Sequence, residues 1–192
     1  MQVHQMDSFY LIDKIEQHLA IKDKILDLMK SLPVEHPRPT RDNDVDRVDK
    51  LDWGDSQNVN RPWVRLFAPI LQRKLVQMMH QSGYKDVNIE NLWFQQYVNN
   101  DLHNWHIHGS TWVGVYYLEM DSTSPVTELM NPVTQRDKIV PGIVEGDIIL
   151  FPSHVIHRAP RMSSDIRKTI ISFNYTCGNI ETSLLNEISK LE

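Results

Sequence analysis

Cysteine occurs once in this chain, at Cys177, and glycine only seven times. A single thiol excludes an intrachain disulfide framework and a zinc site built on several thiolates. No apolar run approaches the roughly 20 residues that a membrane-spanning helix needs. The opening "MQVHQMDSFY" lacks the basic-then-apolar order of a signal peptide. Cationic excess is missing too: the formal net charge is −5, so no global field draws the chain to nucleic acid or anionic lipid. The expectation from these absences is a soluble protein of a reducing cytoplasm, with no membrane and no nucleic-acid partner. At 192 residues the chain is long enough to close one core without covalent staples.

What is present changes character along the chain. Leu11, Ile15, Leu19, Ile25, Leu26 and Met29 recur at mostly helical spacing until "LPVEHPRP" ends the pattern. Residues 40–60, rich in charge and without periodicity, read as a long surface loop. Asp42, Asp44 and Asp46 alternate there like calcium-loop ligands, but the glycine and terminal glutamate of that motif are missing at the required offsets. A second helix is predicted from Trp63 to about His80. From Val87 onward, "VNIENLWFQQYV", "TWVGVYYLEM", "GDIILFPS" and "RKTIISFNYT" are rich in β-branched and aromatic residues and bounded by turn chemistry. No long helical segment separates them, which disfavours a parallel α/β sheet. A mostly β, double-sheet barrel of jelly-roll kind with helices packed outside is expected. It would be a single domain over residues 1–192, with a helical flank at 1–85, the barrel core at 86–176 and a tail at 177–192.

Three of the nine histidines fall within "HNWHIHG", at His103, His106 and His108. If the chain is extended there, His106 and His108 point to one face and supply half of a metal site, while His103 points elsewhere. Such a pair alone is more often two ordinary loop histidines. His154 and His157 in "GDIILFPSHVIHRAP" add a distant third imidazole, and Arg167 opens the next strand ten residues later. Neutral imidazoles suit iron, zinc, copper and nickel alike. The guanidinium is a planar fork suited to bidentate capture of a carboxylate; on its own it reads equally as a surface salt-bridge residue.

This ordered set resembles the Fe(II)- and 2-oxoglutarate-dependent dioxygenases, above all prolyl-hydroxylase-like members with a double-stranded β-helix core. That family carries H-x-D/E, a distal histidine and an arginine about ten residues beyond it; His106-x-His108, His157 and Arg167 take those places here. The resemblance is closer to a branch of oxygenases reading H-x-H, "SGVYYL", "GDLLLFPS" and "RISISFN", against "HIHGSTWVGVYYL", "GDIILFPSHVIH" and "RKTIISFN" here, over roughly residues 90–176. It implies Fe(II) on His106, His108 and His157, with 2-oxoglutarate as cosubstrate and O2 as oxidant. Arg167, Tyr117 and Thr169 would contact the cosubstrate, and Tyr97 matches the tyrosine that precedes the metal motif. One departure stands out: a histidine replaces the carboxylate ligand, unless Asp101, Glu119 or Asp121 supplies one. The substrate implied is a peptide or protein side chain or a small molecule. A homodimer through the helices is neither required nor forbidden. Two rival readings remain open: a cupin-like three-histidine metalloenzyme without 2-oxoglutarate, and a non-enzymatic β-barrel interaction module.

Overall fold

The computed structural model describes residues 8–32, 46–163 and 165–178. Among these residues, ten strands make two antiparallel sheets. In chain order the elements are β1 (Leu11–Lys14), α1 (His18–Lys30), β2 (Lys50–Leu51), α2 (Pro62–Gln81), β3 (Asn88–Tyr97), β4 (His103–His106) and β5 (Trp112–Glu119). There follow β6 (Glu128–Met130), β7 (Lys138–Ile139), β8 (Asp147–Pro152), β9 (His157–Ala159) and β10 (Lys168–Thr176). The larger sheet runs β1-β8-β5-β10-β3-β2 and the smaller β4-β9-β6-β7. This is the double-stranded jelly-roll arrangement expected from the sequence.

The central strands β3, β5, β8 and β10 are buried along most of their length, because the larger sheet is covered on both sides. One face packs on the helices: Leu92, Phe94, Tyr116, Ile148, Leu150, Ile171 and Phe173 join Ile25, Trp63, Phe67 and Leu71 in one core. The other face looks towards the smaller sheet, where Tyr97, Val113, Val115, Tyr117, Ile149, Phe151 and Ile170 meet Leu129 and Ala159 in a second core. Alternation along each strand sends successive side chains to opposite cores, and the site lies on the second.

Helix α2 begins with Pro62, a position where the missing N–H costs nothing, and matches its expected span closely. The first helix differs. Leu11–Lys14 is not helical but pairs with β8 at the sheet edge, and α1 starts only at His18, leaving Leu19 88% exposed. Leu11 and Ile15 satisfy a helical spacing by coincidence; sheet pairing with Asp147–Leu150 decides their state. Part of the expected loop at residues 40–60 is also structured. Lys50–Leu51 pairs with β3, and Trp53–Asp55 forms a 3-10 turn. Asp52 anchors this segment: its buried carboxylate accepts from Arg61, from Trp63 Nε1 at 3.0 Å and from the Phe94 amide at 2.8 Å. Asp42, Asp44 and the C-terminal "ETSLLNEISKLE" lie outside the described residues. Among the described residues, no helix is long and apolar enough to cross a membrane.

Candidate metal centre

Strands β4 and β9 pair so that His106 stands directly opposite His157. His108 follows in the loop beyond β4, fixed by its amide to the Ser153 carbonyl at 3.2 Å. One nitrogen from each of the three rings lies within 4.8 Å of the others. The described residues offer no other group of three or more histidine, cysteine or acidic side chains so placed. Of the carboxylates weighed as ligands, Asp101 accepts from the Val98 amide and pairs with Arg47. Asp121 is tied to Thr123, and Glu119 faces Arg167. His154 is exposed and apart from the cluster.

Hydrogen bonding selects the nitrogen each ring presents. The Nδ1 of His106 lies 2.6 Å from the Asn104 carbonyl, that of His108 2.8 Å from Asn174 Oδ1, and that of His157 2.9 Å from the Val155 carbonyl. All three acceptors are amide oxygens, so each Nδ1 carries the proton and each Nε2 keeps its lone pair for the centre. His108 Nε2 is buried and has no partner, an arrangement that costs free energy unless a ligand uses it. Burial, reinforced by the other imidazoles, pushes His108 down to about 4 and His157 to about 2. Burial likewise lowers His106, against the hydrogen bond to Asn104 and the nearby Asp46. All three are therefore neutral at pH 7, the form that binds a metal.

His103 shows the opposite polarity. Its ring stacks on His106 at 4.0 Å, but its Nδ1 faces the Gln95 amide nitrogen at 3.4 Å and its Nε2 faces Asp46 at 3.6 Å. The Gln95 N–H donates to Nδ1, which leaves the proton on Nε2 towards the carboxylate. His103 buttresses a ligand and presents no free nitrogen to the centre.

The expected cosubstrate residues divide by strand parity. On β10, Ile170 and Ser172 line the chamber with the histidines, and Asn174 bonds His108. Arg167 and Thr169 have the other parity and are not brought to the cluster. Arg167 forks onto Glu119 at 2.8 and 2.9 Å, and Thr169 Oγ1 donates to the same carboxylate at 2.7 Å. Burial alone would raise Glu119, but these hydrogen bonds outweigh it and hold its pKa low. The side chain on the inner parity is Lys168, 1% exposed, which the sequence reading passed over. Its ammonium donates to the Pro125 carbonyl at 2.7 Å and lies 4.8 Å from the centre of the Tyr97 ring; burial pushes it down to about 8. The Tyr97 hydroxyl is buried without a partner. The Tyr117 hydroxyl, by contrast, donates to Thr127 Oγ1 at 2.7 Å and accepts from the Thr127 amide at 2.9 Å. The signal for Lys168 was the alternation of "RKTIISFNYT", in which residues 168, 170, 172 and 174 share a face.

Two cavities meet at the histidines. The inner chamber, about 20 Å³, runs from His106, His108 and His157 to Tyr97, Thr127 and Ile170. The outer cleft, about 440 Å³, is bounded by Val48, Leu51, Trp53, Ile107 and Asp46 and shares Trp93, Gln95 and His103 with the chamber. Trp53, 46% exposed, stands edge-on to Trp93 at 4.5 Å, and Trp93 stacks on His108.

No protein-family model matches the chain, and no curated protein matches its sequence. Its structure is similar to several solved ones. An oxidoreductase of the 2OG-Fe(II) oxygenase family from Burkholderia pseudomallei superposes with a TM-score of 0.69 at 14% identity, covering 90% of this chain and 87% of that one. The viral collagen prolyl hydroxylase of Paramecium bursaria Chlorella virus-1, in complex with 2-oxoglutarate, gives 0.59 at 15% identity, over 89% and 97%. A Trichoplax adhaerens prolyl hydroxylase, in complex with a hypoxia inducible factor peptide fragment, gives 0.61 at 13% identity, over 86% and 82%. At these identities the likeness establishes the shared fold, the double-stranded β-helix with flanking helices.

Proposed function

We propose that this chain is an Fe(II)- and 2-oxoglutarate-dependent dioxygenase that hydroxylates a substrate entering through the outer cleft. The observation that carries this reading is the convergence of three neutral imidazoles, one nitrogen of each within 4.8 Å of the others, whose Nδ1 atoms all bond amide oxygens and so leave the Nε2 lone pairs for a metal. His106, His108 and His157 would hold the metal. Three imidazoles without a carboxylate fit Fe(II) as they fit other late divalent metals. The shared fold with 2OG-Fe(II) oxygenases favours iron. When bound, the iron and 2-oxoglutarate supply the oxidising chemistry: O2 is consumed, the cosubstrate loses CO2 to become succinate, and a substrate C–H bond becomes C–OH.

The chain's part is to bind, orient and exclude water. Lys168 rather than Arg167 would be the cation to hold the far carboxylate of the cosubstrate: it is on the inner face of β10, where its ammonium meets the Pro125 carbonyl and the Tyr97 ring face. The Tyr97 hydroxyl, buried without a partner beside Lys168, would donate to the same carboxylate. Tyr117, held by Thr127, is a fixed wall. Arg167 and Thr169 brace β10 against Glu119 from outside. The cleft walls of Trp53, Leu51 and Ile107 suit an apolar portion of the substrate, either a peptide side chain or a small molecule.

Anaerobic Fe(II) titration with and without 2-oxoglutarate tests the reading through the weak visible charge-transfer band of the chelate. The band is expected only with both components, to vanish in His157→Ala and to persist in His103→Ala. Iron binding without the band would leave a cupin-like three-histidine metalloenzyme, and no iron binding would leave an interaction module.

A further inference from the structure

The three candidate ligands do not hold their rings in the same way. His106 and His157 each bond the backbone carbonyl two residues earlier, so the local chain that carries each ring also orients it. His108 has no such local acceptor. Its Nδ1 reaches 66 positions along the chain to Asn174 Oδ1 on β10, in the other sheet. Asn174 in turn donates its Nδ2 to Asn91 Oδ1 at 3.3 Å, and Asn91 is its register partner on β3. That second bond orients the Asn174 amide: with Nδ2 donated to Asn91, Oδ1 faces His108 and the imidazole is the donor.

His108 is also the residue that stands where the resembled family places a carboxylate. A carboxylate ligand has two equivalent oxygens and needs no tautomer; an imidazole binds through one nitrogen and only when the proton sits on the other. We propose that Asn174, oriented by Asn91, is the positioning residue that makes His108 a ligand. The amide pair locks the proton on Nδ1 and aims Nε2 at the centre, with Trp93 stacked on the ring at 5.9 Å. This proposal rests on the reading of the three histidines as metal ligands. Because an amide oxygen is neutral, the relay orients the ring without adding charge, and the protein's three ligands contribute none of their own.

Anaerobic titration of the full chain with Co(II), followed by its visible absorption, reads the affinity directly, and proton NMR of the Co(II) protein reads the three ligand N–H groups. The wild type is expected to show three exchangeable, paramagnetically shifted N–H resonances, one for each Nδ1. In Asn174→Ala the affinity falls about 10–100-fold, the usual cost of losing a partner behind a metal-bound histidine, and one of the three resonances is lost to rapid exchange. Asn174→Asp, which keeps an acceptor and adds a charge, binds Co(II) at least as tightly as the wild type, since Asn91 can turn its own amide to donate. Asn91→Ala keeps Asn174 but releases its orientation, and weakens binding several-fold; this variant and Asn174→Asp carry the test should Asn174→Ala not fold. Co(II) binding within twofold of wild type in Asn174→Ala, with three resonances intact, overturns the relay while leaving the metal site standing. So does an unchanged Asn91→Ala, or an Asn174→Asp as weak as the alanine variant. A wild type that binds no Co(II) removes the metal reading and the relay together.

Discussion

The two faces of β10 lie on one strand, share one pair of neighbours and differ in nearly everything else. Odd positions face the helices: Ile171 and Phe173 are core, and Thr169, with Arg167 just before the strand, closes on Glu119. Every polar group there has its partner. Even positions take the side of the histidines: Lys168 is a buried cation against the Pro125 carbonyl and the Tyr97 ring, Ser172 reaches Gln95, and Asn174 serves His108. The odd face closes on itself, while the even face is tied to the groups around the histidines, where the Tyr97 hydroxyl and His108 Nε2 are buried without partners. Unmet polar capacity in a packed interior is costly, and its presence beside the three imidazoles marks where the chain trades stability for binding.

The two faces should break different properties. The largest effect is expected on the odd face. The tip of the Phe173 ring packs against Gly114, where an added Cβ would stand 2.0 Å from it, so Phe173→Ala opens a void beside β5. It should cost roughly 3–5 kcal/mol of stability in denaturant melts, with 2-oxoglutarate affinity of the folded fraction within about threefold of wild type. A comparable loss of affinity would join the two faces into one unit.

The even face should show the reverse. Lys168→Met removes the cation proposed for the cosubstrate, and losing one partner of a buried charge pair costs about 2–5 kcal/mol of binding. A rise of at least ~30-fold in the 2-oxoglutarate dissociation constant is therefore expected, with Fe(II) affinity unchanged. The same variant should be more stable without ligands. Burial lowers the Lys168 pKa from 10.5 to about 8, a shift that corresponds to about 3 kcal/mol of cost to the folded state at neutral pH. The sign follows from proton counting. Between pH 8 and about 10.4 the unfolded chain holds the proton that the folded chain gives up, so stability attributable to Lys168 rises with pH across that window. Cosubstrate affinity must fall over the same window, because the bound form needs the ammonium. Opposed trends in the wild type, both absent from Lys168→Met, would tie cost and function to one side chain. Parallel trends would sever them.

The sequence made the fold and the histidine triad legible for definable reasons. Turn-bounded β-branched runs give strands wherever they fall, and the spacing of His106-x-His108 and His157 is written in the sequence, with β4 and β9 then bringing His106 opposite His157. On β10 the alternation itself is legible, Lys168, Ser172 and Asn174 against Ile171, Phe173 and Tyr175, but both faces are buried, so which of them meets the histidines is decided only by the fold. Leu11–Lys14 was misread for a related reason: four residues are too few to separate helical from extended spacing, and pairing with β8 is a contact between residues more than 130 positions apart. Asn174 was invisible because its role is a hydrogen bond across two sheets.

The smallest effect should come from the residue that the motif pointed to first. Arg167 is partly exposed, its side chain 39% accessible, and paired bidentately with Glu119, itself 22% accessible. Pairs in such settings contribute about 0.2–1 kcal/mol, and Thr169 remains to hold the Glu119 carboxylate. Arg167→Ala should therefore lower stability by no more than about 1 kcal/mol and leave the charge-transfer band and the 2-oxoglutarate dissociation constant within about threefold of wild type. Set beside Lys168→Met, it isolates the consequence of one step along the strand: the two cations are adjacent in sequence, and only the one facing the histidines should be felt by the cosubstrate. A large loss of affinity in Arg167→Ala with none in Lys168→Met would mean that the faces exchange roles when ligand binds, with β10 or its leading turn shifting by one residue to bring the guanidinium inward.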